Sequence, residues 1–198
     1  MTDSVLTTFK VPPPEMFDDY DTGQWTPPPQ AKERGLDGKA KFIQYQAIVP
    51  LADKFSWRGD KNGFLMLVID GIKLTTGYEF KKDYLSSAPF PKKDKAGNVT
   101  GTRNASTLGN YFRAHGMSVR PSTEDEYKAY AEATAGREFS VTIDWEAYDS
   151  DSQSTIADSF DSFPDDPDNL GQKLAYIERN GKRFWARARI KRYVDQVG

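Results

Sequence analysis

The chain has 198 residues, of which 37% are hydrophobic, 28% charged and 13% aromatic, and its 27 Lys and Arg against 29 Asp and Glu describe one ordinary globular domain rather than a polycation of the histone type. With no cysteine, disulfides, thiolate zinc sites and cysteine nucleophiles are excluded. His115 is the whole imidazole inventory, so a multi-histidine metal site has no ligands and Ser-His-Asp catalysis has a single candidate base.

Residues 1–38 carry two proline triplets, Pro12 to Pro14 and Pro27 to Pro29, around the acidic patch Glu15, Asp18, Asp19 and Asp21. Serial prolines favour extended geometry and enter neither a helix interior nor a central strand. The stretch is expected to be an extended or disordered arm; the alternative is a docking peptide that Phe17, Tyr20 and Trp25 anchor to a partner or to the protein itself. No basic-then-apolar leader opens the sequence, and no apolar run approaches the roughly 20 residues of a membrane helix. A cytoplasmic chain that makes no use of a membrane is therefore expected.

Strand character begins at Ala40. AKFIQYQAIVP (40–50) is rich in β-branched and aromatic residues, and FLMLVIDGIKL (64–74) is a continuous apolar run that reads as a central strand, with Gly71 marking a bulge or bend. Between them KFSWRGDKNG (54–63) sets Phe55 and Trp57 ahead of Asn62-Gly63, so 53–70 reads as a hairpin. Its tip offers Trp57, Arg58 and Lys61 to a ligand, although Trp57 fits the core equally well. PKKDKAGNVTGTRN (91–104) then reads as a long mobile loop whose Lys92, Lys93, Lys95 and Arg103 either follow a phosphate backbone or are merely solvated.

Two helices follow. Leu108, Tyr111, Phe112 and His115 recur on one helical face, with Asn104 or Ser106 as the N-cap and Gly116 as the stop. Thr123 and Glu126 have capping-box spacing for a second helix with the inner stripe Tyr127, Tyr130, Ala131 and Ala135, ended by Gly136. REFSVTIDWEAYD (137–149) returns to period two, with Phe139, Val141, Ile143 and Trp145 inward and Ser140, Thr142, Asp144 and Glu146 outward.

Charge segregates towards the C-terminus. Residues 149–169 hold seven aspartates and no Lys or Arg, whereas 170–198 hold eight cations against Glu178 and Asp195. Within that basic stretch QKLAYIER and KRFWARARIKRYV flank Asn180-Gly181, whose type I′ turn would pair Arg179 with Lys182 and hence Glu178 with Arg183, Ile177 with Phe184 and Tyr176 with Trp185. If 182–194 is one strand, Trp185, Arg187, Arg189, Lys191 and Tyr193 share a face with Tyr176. Rings bordered by cations suit single-stranded nucleic acid, whose bases stack and whose phosphates need countercharge. The competing reading is a solvated face, or one over which the 149–169 segment folds as an internal counter-surface.

Strands with helices inserted among them and a basic, aromatic strand face point to a mainly β domain over 39–198, an OB-type five-stranded Greek-key barrel. FLMLVIDGIKL, STLGNYFRAHGM, GREFSVTIDWEAYD, the acidic segment and the closing FWARARIKRYV, in that order, resemble the OB-fold single-stranded-DNA-binding proteins of tailed bacteriophages over about 40–194. The resemblance implies binding without catalysis, in replication or recombination, inside a host cell. Many members end in an acidic tail that recruits replication partners, whereas this chain ends YVDQVG, so the 149–169 segment or the N-terminal patch would have to carry that role.

Two other functions are open. The basic face would equally dock an acidic protein partner, and Asp144 with Glu146 on one strand face would serve a metal-dependent nuclease if they converged. DSDSQ and DDPDN lack the glycine and terminal glutamate of a calcium loop, and GNVTGTRN lacks the ending of a nucleotide-binding loop, so neither metal nor cofactor is expected.

Overall fold

The computed structural model describes residues 25–34, 39–103 and 105–194. Phe17, Tyr20, the acidic patch at 15–21, Asn104 and the terminal DQVG lie outside them. The 40–50 run divides at Ile43: β1 (Lys32–Arg34) pairs with β2 (Ala40–Phe42) in a ribbon of their own, and β3 (Gln44–Ile48) enters the main sheet. β4 (Phe55–Gly59), β5 (Leu65–Leu74) and β6 (Glu79–Ser86) form an antiparallel meander. β7 (Pro91–Lys93) and β8 (Val99–Thr102) make a separate hairpin, so the basic stretch expected to be a mobile loop is a paired ribbon.

α1 (Thr107–Ala114) and α2 (Glu124–Thr134) come next. Ser106 caps α1 by accepting from the Gly109 N–H, and the Thr123–Glu126 capping box closes the start of α2 as expected. Leu108, Tyr111 and Phe112 are buried, and Gly116 and Gly136 end the helices with φ of 79° and 72°. β9 (Glu138–Asp149) is the longest strand, followed by β10 (Ser154–Ala157), β11 (Tyr176–Arg179), β12 (Lys182–Trp185) and β13 (Arg187–Val194).

The main sheet runs β6, β5, β3, β9, β13, with β4 added to β5 and β10 to β9, every ladder antiparallel. Both helices are inserted between β6 and β9. The fold is thus mainly β with inserted helices, in an open antiparallel sheet. No ladder joins β6 to β13 among the described residues; side chains do, with the Tyr78 hydroxyl accepting from the Ala188 N–H and the Tyr193 hydroxyl donating to Asp83. The two contacts have the same sequence offset, so β6 and β13 run in the same direction.

Phe139, Val141, Ile143 and Trp145 of β9 are fully buried, as the alternation requires, in one core with Leu67, Ile69, Ile72 and the α1 side chains. The opposite face of β9 departs from expectation: Thr142 and Asp144 are buried too. Asp144 is covered by the acidic segment, which is ordered rather than loose: its Phe160 N–H bonds the Asp144 carboxylate at 2.7 Å. Phe160 and Phe163 pack edge-on against Trp145, with ring centroids 4.8 and 5.3 Å away. Within the N-terminal stretch, the described residues 25–31 follow the alternative reading, a segment docked on the protein itself. Pro29 accepts from the Trp145 indole at 2.8 Å, the Gln30 carbonyl accepts from the Tyr45 hydroxyl, and the Gln30 side chain bonds both backbone groups of Lys173. Residues 25–31 are a strap across the domain, not a free arm.

Candidate nucleic-acid interface

The terminal hairpin has the register that its turn dictates. Asn180 and Gly181 take φ of 52° and 76°, the pair of positive values a type I′ turn needs, and Arg179, Glu178, Ile177 and Tyr176 face Lys182, Arg183, Phe184 and Trp185. Tyr176 and Trp185 lie 5.3 Å apart between ring centroids, and the Arg183 guanidinium sits 4.7 Å over Tyr176. Trp185 is nevertheless only 8% exposed, because Trp25 lies 4.7 Å from it. The ladder stops there. Ala186 donates to the Ala175 carbonyl, accepts from the Trp25 indole at 3.3 Å, and turns the chain into β13.

The single strand expected over 182–194 is therefore two, and β13 is itself bulged between Ile190 and Arg192. Lys191 is the extra residue, and beyond it the alternation is reversed. Tyr193 turns to the core, stacking on Phe139 at 5.7 Å and edge-on to Tyr111 at 5.2 Å; it is not on the arginine face. Arg187, Arg189 and Lys191 do point away from the core, but carboxylates of β9 meet them. Arg187 bonds Glu146 at 2.8 Å, Arg189 lies 3.7 Å from Glu146 and bonds the Asp158 carbonyl, and Lys191 bonds Asp144 at 2.6 Å. Burial pushes the Asp144 carboxyl up, but Lys191 and the N–H groups of Phe160 and Trp145 together bring it below its ordinary value. The face is thus countered mainly by Glu146 and Asp144 of β9 itself, with the acidic segment contributing the Asp158 carbonyl.

The acidic segment is similarly engaged. Asp161 pairs with Lys32, Asp165 with Lys173 and Asp151 with Lys182, while Asp149 and Asp166 accept from the N–H groups of Asp151 and Asp168 in their own loops. Among the described residues no group of three or more His, Asp or Glu is placed to hold a metal, and no helix is long and apolar enough to cross a membrane.

A second surface has the opposite character. On the outer side of the β4–β5–β6 meander Ser56, Val68 and Tyr84 form one cross-strand row, and Arg58, Met66 and Ser86 the next. Tyr84 is 48% exposed, the Arg58 guanidinium lies 4.9 Å over its ring, and Phe64, beyond the Arg58–Met66 row on the same face, is 40% exposed. Trp57 faces the other way, opposite Leu67, and packs on the core. The hairpin closes in a tight turn through Asn62-Gly63: the Gly63 N–H bonds the Asp60 carbonyl at 3.0 Å, the Asp60 N–H bonds the Phe64 carbonyl at 2.8 Å and Gly63 takes φ 81°. The Asp60 carboxylate gathers the N–H groups of Asn62 and Phe64 at 2.8 and 2.9 Å and the Ser86 hydroxyl at 2.9 Å. Desolvation pushes that carboxyl up, and the three hydrogen bonds with nearby Lys61 outweigh it, leaving it below its ordinary value.

Lys61 is exposed in this loop, and the β7–β8 hairpin leaves the sheet at the same end, where the Ser87 N–H bonds the Leu65 carbonyl. Lys92, Lys93, Lys95 and Arg103 are all exposed on that hairpin. Among the described residues none of these six cations, Arg58 included, pairs with a carboxylate. The structure thus divides the sequence-predicted residues. Arg58, Lys61 and the 92–103 cations stand at one open end without an ion pair to a described carboxylate, whereas Tyr176, Trp185, Arg187, Arg189 and Lys191 lie in covered or countered positions.

Sequence reasoning missed Tyr84 and Phe64. Both Ile69 to Ile72 in β5 and Phe80 to Asp83 in β6 slip one residue out of alternation, beside Gly71 at φ 84°, so Tyr84 ends outside although Phe80, of the same parity, is inside. Gly71 was the available signal. The sequence matches no protein-family model, and the chain matches neither a curated protein nor a solved structure.

Proposed function

We propose that the chain is an OB-type single-stranded-DNA-binding protein, without catalysis, that holds exposed strands during the replication or recombination of a virus or mobile element. The observation that carries the reading is the exposed Arg58–Tyr84 pair, with Phe64 on the same face and cations that form no ion pair with a described carboxylate. Bases stack on such rings with little regard to sequence, at about 1–3 kcal/mol each, and the Arg58, Lys61 and 92–103 charges suit the phosphates. The strand order β6, β5, β3, β9, β13, with helices between the third and fourth strands of the five in chain order, supports the OB reading, as does the parallel approach of β13 to β6. In that fold the second and third strands and their flanking loops bind oligonucleotides, and here those strands are β5 and β6.

Titration of a fluorescent oligo-dT at several salt concentrations tests the proposal. Binding with a steep negative salt slope is expected, and no binding at about 50 mM salt overturns it. Tyr84→Ala is expected to weaken binding about tenfold at an unchanged slope, and Arg58→Ala to shallow the slope by about 0.7, the share of one phosphate contact on a single strand.

A further inference from the structure

We propose that Trp185 and Tyr176 form a second base-stacking site and that the indole of Trp25 occupies it in the free protein. The inference rests on the single-strand-binding reading and adds to it a site closed by the chain's own strap. Arg183, Tyr176, Trp185 and Trp25 form a continuous run of stacked or tilted groups, each 4.7 to 5.3 Å from the next. Its last member comes from a residue 160 positions earlier in sequence, and the ring it covers belongs to a hairpin whose register already paired the two aromatics.

Trp25 imitates a base in two respects. It packs its ring against Trp185 at 4.7 Å, tilted by 53°, and its N–H donates to the Ala186 carbonyl in the gap between β12 and β13. Thymine offers the same pair of features, a flat ring and an N3–H on its edge. Several separate contacts fasten the strap beyond Trp25: Pro28 is buried, the Trp145 indole bonds Pro29 at 2.8 Å, the Tyr45 hydroxyl bonds Gln30 at 2.6 Å and the Gln30 amide holds Lys173. Among the described residues Trp25 itself makes one such bond, at 3.3 Å, and Thr26 and Pro27 lie between it and the buried Pro28. Trp25 can therefore leave while the strap stays fastened. An open cleft lined by Tyr148, Arg187, Lys182, Arg183 and the Asp149 carboxylate adjoins Trp185, and it gives the incoming nucleotide room beside the vacated ring.

Two measurements on the full chain test the site. In the first, Trp25→Ala is titrated with oligo-dT beside the wild type: about tenfold tighter binding at an unchanged salt slope is expected, and the gain disappears when Trp185→Ala is added. Equal or weaker binding by Trp25→Ala overturns the proposal. In the second, which needs no variant, a 5-iodouracil-substituted oligo-dT is irradiated on the wild-type protein and adducts are mapped by mass spectrometry. Adducts at Trp185 or Tyr176 are expected, and adducts confined to Tyr84 and Phe64 overturn the second site while leaving the first intact. Failure of both wild type and Trp25→Ala to bind any oligo-dT overturns the single-strand reading and this inference together.

Discussion

Asp83 is the residue whose chemistry is least ordinary. It lies opposite Ile69 on the inner side of β6, where Tyr193 donates to it across the seam with β13. Burial pushes its carboxyl up to about 7, with the Tyr84 N–H pulling the other way. In the unfolded chain the same group titrates near 4, so between those values the folded state holds a proton that the unfolded state does not. Its contribution to stability is complete below about pH 4 and is lost as pH rises through 7. His115 acts in the opposite sense: burial, then Arg137, depress its imidazole against the Tyr111 carbonyl contact, and stability falls as pH drops below 6.5. The difference between wild type and Asp83→Asn isolates the carboxyl. Urea unfolding is expected to find the variant more stable by on the order of 2 kcal/mol at pH 8 and nearly equal to wild type at pH 4, with His115 common to both. A difference that does not change with pH would contradict it.

Among the elements, those that need only local chemistry were legible in the sequence. The α2 capping box, the burial of alternate β9 residues and the four pairs of the β11–β12 hairpin follow from side chains within a few positions of one another. The Lys191 bulge was not legible, because it answers to Asp144 on another strand: one residue is extruded to reach a carboxylate that is only 1% exposed. That shift is also why Tyr193, read as a surface ring, belongs to the core. Asp144→Ala is expected to cost about 3 kcal/mol in urea unfolding, since it strands Lys191 and two backbone N–H groups at once. Gly71 is the second such point. At φ 84°, with the Glu79 carboxylate 3.3 Å from where a Cβ would stand, Gly71→Ala is expected to cost about 1–2 kcal/mol and to disturb the phase that turns Tyr84 outward. The candidate interface was only half legible: its cations stand out in the sequence, but its rings depend on that slip.

Across the whole molecule, a net charge of −2 conceals two ends treated differently. Around β13 the cations are met by β9 and the acidic segment, while those of the β4–β5 loop and the β7–β8 hairpin are left to solvent. Salt dependence should separate them. Replacing Lys92, Lys93 and Lys95 by Ala is expected to shallow the oligo-dT salt slope by about 2 if each meets a phosphate, whereas Arg189→Ala, which lines neither proposed site, should lower thermal stability and leave the slope alone. The strap brings time into this picture. Gln30 fastens to Lys173, and Trp25 to Ala186, across 143 and 161 residues, so the first described segment to be synthesised must wait for nearly the last before it has anything to hold. Closing so long a loop comes late in folding. Every newly made copy therefore passes through an interval in which its sheet is built and Trp185 is bare, and the slowest change in tryptophan fluorescence during refolding should report the moment when Trp25 arrives.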